Sequence, residues 1–118
     1  MATVDQDVNF KITQGDTFSL ELVYKDEDEN IVDITGYSFL MQIKDKPGGK
    51  ILSAECSIGD GIEVPNPADG TIIISVSPEK TNNFNYPRAS YQIQGTDPYD
   101  DKITFLQGWF KVNAGTIN

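Results

Sequence analysis

Phe18-Ser19-Leu20-Glu21-Leu22-Val23-Tyr24-Lys25 is the stretch that decides the fold class. Phe18, Leu20, Leu22 and Tyr24 occupy every second position, opposite Ser19, Glu21, Val23 and Lys25. Successive side chains of an extended chain face opposite ways, so a period of two marks a strand with one buried and one wet face. A helix would instead space its apolar residues three and four apart.

The same period continues outward in both directions. Phe10 and Ile12 alternate with polar neighbours until Gln14-Gly15-Asp16 breaks the run. Asp26-Glu27-Asp28-Glu29-Asn30 reads as a polar hairpin tip, after which Ile31, Val32 and Ile34 resume. Beyond Gly36, the residues Tyr37, Phe39, Met41 and Ile43 alternate again, and Lys46-Pro47-Gly48-Gly49 predicts a turn. Lys50 to Ile58 is a weaker strand, Ile62 and Val64 a short one, and Pro65-Asn66-Pro67 cannot lie inside a sheet. Asp69-Gly70 has the chemistry of a hairpin turn leading into Ile72, Ile74 and Val76. Ser77-Pro78-Glu79 opens the one helical segment, with Ser77 as cap, and Asn82, Asn83 and Pro87 limit it to about two turns.

Tyr91 and Ile93 lie in a further strand, Thr96 to Asp101 in a loop, and Lys102 to Val112 in the longest strand. That last strand has apolar residues at both parities, Ile103 and Phe105, then Phe110 and Val112. A bulge near Gln107-Gly108 is expected to bring both pairs to one face. Trp109 then points away from Phe110 and Val112, because strand neighbours face opposite sides. About eight short strands with frequent turns predict an all-β, immunoglobulin-like β-sandwich. The expected organisation is an extended N-terminal arm over residues 1–8 and a single domain over 9–118.

Composition narrows the chemistry. The 118 residues contain no histidine and a single cysteine, Cys56. The commonest general base and metal ligand is absent, and neither an internal disulfide nor a thiolate zinc cluster can form. Cys56 reads as a buried thiol on a strand. No apolar run is long enough to span a bilayer, and Met1 to Asp7 lacks the basic start and apolar stretch of a signal peptide. Synthesis in a cytoplasm is the expectation. Eighteen acidic residues against nine basic give a formal charge of −9, which repels nucleic acid and anionic membranes at long range.

Asp26, Asp28 and Asn30 match the first ligands of a calcium-binding EF-hand loop, but Ile31 stands where glycine is required and Tyr37 where glutamate is required. A solvated hairpin tip is the preferred reading, and Asp97, Asp100 and Asp101 present the same choice. Neither a catalytic carboxylate pair nor a phosphate-binding glycine motif emerges, so no enzyme and no cofactor is expected. Tyr86, Tyr99 and Trp109 are candidates for an aromatic platform on a sugar, or for core and edge packing. With Val4 and Val8 of the arm, they form the candidate set for a partner interface. For Trp109, a partner contact and a core on its own face both remain open.

Several segments together resemble a family. Gln14-Gly15-Asp16-Thr17-Phe18 followed by Val32-Asp33-Ile34-Thr35-Gly36-Tyr37 resembles the opening of small tailed-bacteriophage virion proteins. The related domain begins the baseplate upper proteins of phages infecting Gram-positive bacteria. Asp69-Gly70-Thr71-Ile72, Ser77-Pro78-Glu79-Lys80-Thr81 and Leu106-Gln107-Gly108 before Phe110-Lys111-Val112 continue the likeness over about residues 9–113. The strand after Gly36 departs from it, ending Lys44-Asp45-Lys46 where the family often has arginine.

The resemblance implies an immunoglobulin-like fold and a virion location. It also implies a structural role as an adaptor on the tail or baseplate, with other virion proteins and copies of itself as partners. Capsid decoration and a carbohydrate-binding module that contacts the host surface are the competing readings.

Overall fold

The computed structural model describes residues 8–116. The fold is all-β: β1 (Phe10–Thr13), β2 (Phe18–Val23), β3 (Ser38–Lys44), β4 (Leu52–Ile58), β5 (Gly61–Glu63), β6 (Thr71–Val76), β7 (Arg88–Thr96) and β8 (Lys102–Asn113). They form one sheet in the order β1-β8-β7-β3-β4-β5-β6-β2. Pairing is antiparallel except for β1 with β8 and a two-pair parallel contact of β4 with β5, Ser57 opposite Gly61 and Ile58 opposite Ile62. The end strands β1 and β2 are sequence neighbours, and the rings of Phe10 and Phe18 meet at 5.2 Å, so the sheet curls into a nearly closed barrel. Among the described residues, no helix is long and apolar enough to cross a membrane.

Alternation places the core where the period of two requires it. Phe39, Met41 and Ile43 of β3 are buried, as are Ile72, Ile74 and Val76 of β6 and Ala89, Tyr91 and Ile93 of β7. In β2 the residues Phe18, Leu20 and Leu22 are half-buried against this core, with Ser19, Glu21 and Val23 outside.

Three local expectations are corrected. The bulge in β8 lies at Phe105, not at Gln107-Gly108: Ile93 pairs with Leu106 but Gln94 with Thr104, leaving Phe105 as the extra residue. The reason is room. Gly95 stands where any Cβ would come within 2.1 Å of the Phe105 ring, and that ring packs on Tyr24 at 4.5 Å and Phe39 at 5.4 Å. The outcome for parity is the expected one, with Ile103, Phe110 and Val112 all buried.

Asp69-Gly70 does not form a two-residue turn. Asp69 ends a 3-10 turn (Pro67–Asp69), capped by the Asn66 side chain and by Gly70 at φ 67°. The helix α1 (Pro78–Thr81) is one turn instead of two. Ser77 does cap it, its hydroxyl accepting from Lys80 N. It ends early because Thr81 is held sideways: its hydroxyl donates to Asp16 O at 2.8 Å and accepts from Gly15 N at 3.1 Å, while Gln14 Nε2 donates to Phe84 O. The chain turns there to bury Phe84.

Replacing Gly95 by alanine forces the Phe105 ring off its seat. Gly95→Ala is expected to lower stability by about 1–3 kcal/mol, the range for overpacking, in urea denaturation. An unchanged midpoint would show that the bulge does not depend on that space.

Candidate interaction surface

The outward face of strands β1, β8, β7, β3 and β4 is a grid whose rows are fixed by register. Inward Ile12, Phe110, Ala89 and Ile43 leave their sequence neighbours on the outer side. Lys11 aligns with Lys111, and Lys111 with Arg88. In the next row Trp109 faces Ser90, which faces Lys44. The third row runs Gln107, Gln92, Gln42 and Glu55.

Trp109 is half-buried, and the Arg88 guanidinium lies 4.3 Å from its ring centroid, a cation–π arrangement. Its backbone N–H donates to Asn9 Oδ1 at 2.9 Å, which ties β8 to the chain entering β1. Beside the ring an open groove of about 220 Å³ is floored by Gln42, Ser90 and Gln92 and walled by Lys44, Lys46 and the Pro47-Gly48 turn. Two floor amides are already engaged: Gln42 Nε2 donates to Glu55 Oε2 and Gln92 Nε2 to Thr104 Oγ1, both at 2.8 Å.

The face is basic on an acidic protein. It carries Lys11, Lys44, Lys46, Arg88 and Lys111. Among the described residues its nearby carboxylates include Glu55, held by Gln42, Asp45, whose Oδ1 is buried over Gly49, and Asp16, which lines a shallow site with Lys11. Acid gathers at the far end of β7, whose nine residues carry the chain about 30 Å away. There the Asp97–Asp101 tip lies beside the loop after β2, with Pro98 against Gly36.

The two acidic tips are built alike. Asp26 N donates to Asn30 O and Asp97 N to Asp101 O. Asp26 Oδ1 accepts from Asp28 N and Asn30 N, as Asp97 Oδ1 accepts from Tyr99 N and Asp101 N. Glu29 and Asp100 occupy the same left-handed position, at φ 66° and 70°. Each leading aspartate thus closes its own turn. Asp28 contributes a backbone N–H to that closure, and among the described residues no three His, Cys, Asp or Glu side chains gather around a metal-sized site.

The sequence candidates are scattered. Tyr86 precedes β7 and is 59% exposed, whereas Tyr99 follows it and is 88% exposed. The two stand at opposite ends of β7, so Tyr86, Tyr99 and Trp109 do not form a single platform. Val8 is fixed to the sheet, its N–H donating to Gln107 O and its carbonyl accepting from Tyr91 Oη at 2.6 Å. Val4 and the rest of the arm lie outside the described residues. Sequence reasoning missed Lys11, Lys44, Lys46, Arg88 and Lys111. Alternation could have put each on an outer face, but nothing in the sequence aligned the strands.

Cys56 is buried on β4, and burial pushes its thiol above the ordinary cysteine range, with the nearby Lys80 ammonium acting the other way. Lys80 Nζ donates to Glu55 O at 2.7 Å and Asp60 Oδ1 at 2.9 Å and lies 3.8 Å from Cys56 Sγ. Burial alone would lower the ammonium, but the bond to Asp60 and the contact with Cys56 together hold it above its usual value. This is a clamp that pins α1 to β4 beside a protonated thiol.

The chain matches no known family model and no curated protein sequence.

Two measurements check the site chemistry. Asp97→Ala removes an acceptor of two N–H groups and is expected to cost about 1–2 kcal/mol in urea denaturation, whereas Asp97→Asn keeps an acceptor oxygen and costs less. Cys56 is expected to resist a thiol reagent such as dithiobis-nitrobenzoate at neutral pH and to react at once in denaturant. Fast labelling of the folded protein would contradict the clamp.

Proposed function

We propose that this protein is a non-enzymatic structural subunit of a tailed-bacteriophage virion, an assembly or adaptor module on the tail or baseplate. The observation that carries the proposal is Trp109: it sits under Arg88 on an outward sheet face flanked by exposed Gln92, Gln107 and Lys111. Trp and Arg are among the side chains most enriched at interface hot spots, and here a half-buried Trp lies beneath an exposed Arg on an otherwise wet face.

The strand order supports an immunoglobulin-type sandwich as the finer description. Lettered in that plan, β3, β4, β7 and β8 become C, C′, F and G of one sheet, while β2, β5 and β6 become B, D and E of the other. β1 adds in parallel to G, and only the two-pair β4–β5 contact bridges the sheets. The resemblance of Gln14 to Phe18, Val32 to Tyr37 and Leu106 to Val112 to phage virion proteins supplies the context. In this reading the partners are other virion proteins and further copies of the chain, not nucleic acid or membrane.

A carbohydrate-binding role is the second reading, favoured by the groove that sets the Trp109 ring beside the amides of Gln42 and Gln92. Stacking on an aromatic face with amide hydrogen bonds suits a sugar.

Trp109→Ala removes an outward side chain and is expected to leave the fold intact by circular dichroism while sharply reducing the protein's abundance in purified particles. Wild-type abundance of the variant would overturn the proposed surface. Density for the protein on the capsid instead of the tail, in electron microscopy of particles, would transfer the role to decoration. Trp109-dependent binding on a glycan array, without any incorporation into particles, would favour the sugar reading.

A further inference from the structure

We propose that the groove beside Trp109 receives the acidic Tyr99 tip of a second copy of this chain. The proposal rests on the assembly reading above and names the partner of that surface.

The argument is one of complementary chemistry at two ends of one molecule. The groove is walled by Lys44 and Lys46, with Trp109 on its aromatic side; Arg88 stacks on that ring outside the groove lining, and Lys111 and Lys11 stand in the adjoining row. The tip after β7 offers Asp97, Asp100 and Asp101 around Tyr99, an aromatic ring 88% exposed at the turn of a hairpin. An exposed tyrosine beside three carboxylates, one of them 3.7 Å from the Lys102 ammonium, matches a groove with an aromatic wall and two lysines at its rim. The other acidic tip, Asp26 to Asn30, carries no aromatic residue to seat.

Geometry determines the kind of assembly. The groove is lined by Ser90 to Gln92 and the tip lies beyond the end of β7, about 20–25 Å away along the strand, so one copy cannot satisfy its own groove. Pairing two grooves across a two-fold axis would set lysines against lysines. The contact therefore runs from groove to tip: made reciprocally across a two-fold axis it gives a closed dimer, and made one way it closes into a ring or continues as a stack according to the rotation per copy. A single tip buries little area, so the contact is weak between free molecules and becomes firm when a particle aligns many copies. Charge pairing across the contact also makes it sensitive to salt, because the pairs lie at the rim.

The test uses sedimentation velocity on the full chain at high protein concentration. The wild type is expected to self-associate at low salt and to dissociate at high salt. Reversing the groove with Lys44→Glu and Lys46→Glu, or the tip with Asp100→Lys and Asp101→Lys, is expected to weaken association at least about tenfold. Mixing the two reversed proteins restores both contacts, since each then meets the opposite charge, and association returns. Tyr99→Ala alters an exposed side chain without a folding cost and is also expected to weaken association.

A wild type that stays monomeric at all salt concentrations, or a mixture that fails to recover, would overturn the groove-to-tip contact. If such a protein still enters particles in a Trp109-dependent way, the assembly reading survives with a different partner on the groove. If it enters no particle, both fall.

Discussion

The ring of Phe110 holds the closed end of this barrel together. It lies 5.0 Å from Phe18 and Phe84, 5.1 Å from Tyr91 and 5.7 Å from Phe10, in edge-on or tilted contacts. Those residues come from β1, β2, β7 and the segment after α1, so one side chain joins both ends of the sheet order and the crossing connection. Aromatic contacts of this kind add about 0.5–1.5 kcal/mol each beyond the area they bury. The same anchoring has an outward consequence. Because adjacent strand residues face opposite sides, a Phe110 that must point inward compels Trp109 to point outward. Core and candidate surface are thus two faces of one constraint.

The entry of the chain into β1 depends on the same strand. Val8 O accepts from Tyr91 Oη, and Asn9 Oδ1 accepts from Trp109 N, so the N-terminal segment crosses β8 at Gly108. A Cβ at Gly108 would stand 2.2 Å from Val8 O. Glycine there is a packing requirement, which explains why a bulge at Gln107-Gly108 was a reasonable expectation and also why it was misplaced. The glycine answers a close approach from another strand, and the bulge answers the room above Gly95. A sequence shows both glycines but not which neighbour each one faces.

What was legible followed from local chemistry. The alternation of β2, β3 and β6, the Ser77 cap and the outward direction of Trp109 each depend on residues within a few positions of one another. What was not legible depends on pairing. The length of α1 is set by Thr81 bonding to Asp16 and Gly15, and the basic face is set by bringing Lys11, Lys111, Arg88, Ser90 and Lys44 into register. Net charge misled in the same way. A total of −9 describes long-range behaviour, but it averages an acidic end with a basic face about 30 Å away, several Debye lengths at physiological salt. At contact distance a partner meets one end or the other, not the sum.

The polar floor of the groove also bears on what the surface is suited to grip. Gln42 and Gln92 spend an amide N–H on Glu55 and Thr104, which fixes their orientation but reduces what they can give a small ligand. Arg88 is committed to the Trp109 ring in the same manner. Among the described residues, the recognition elements left are the ammonium groups of Lys44 and Lys46 and the remaining face of the indole. Flexible ammonium groups discriminate poorly among the hydroxyls of a sugar but pair readily with carboxylates on a presented loop. Preorganised amides beneath, and mobile charges at the rim, are the division found where one protein surface receives another.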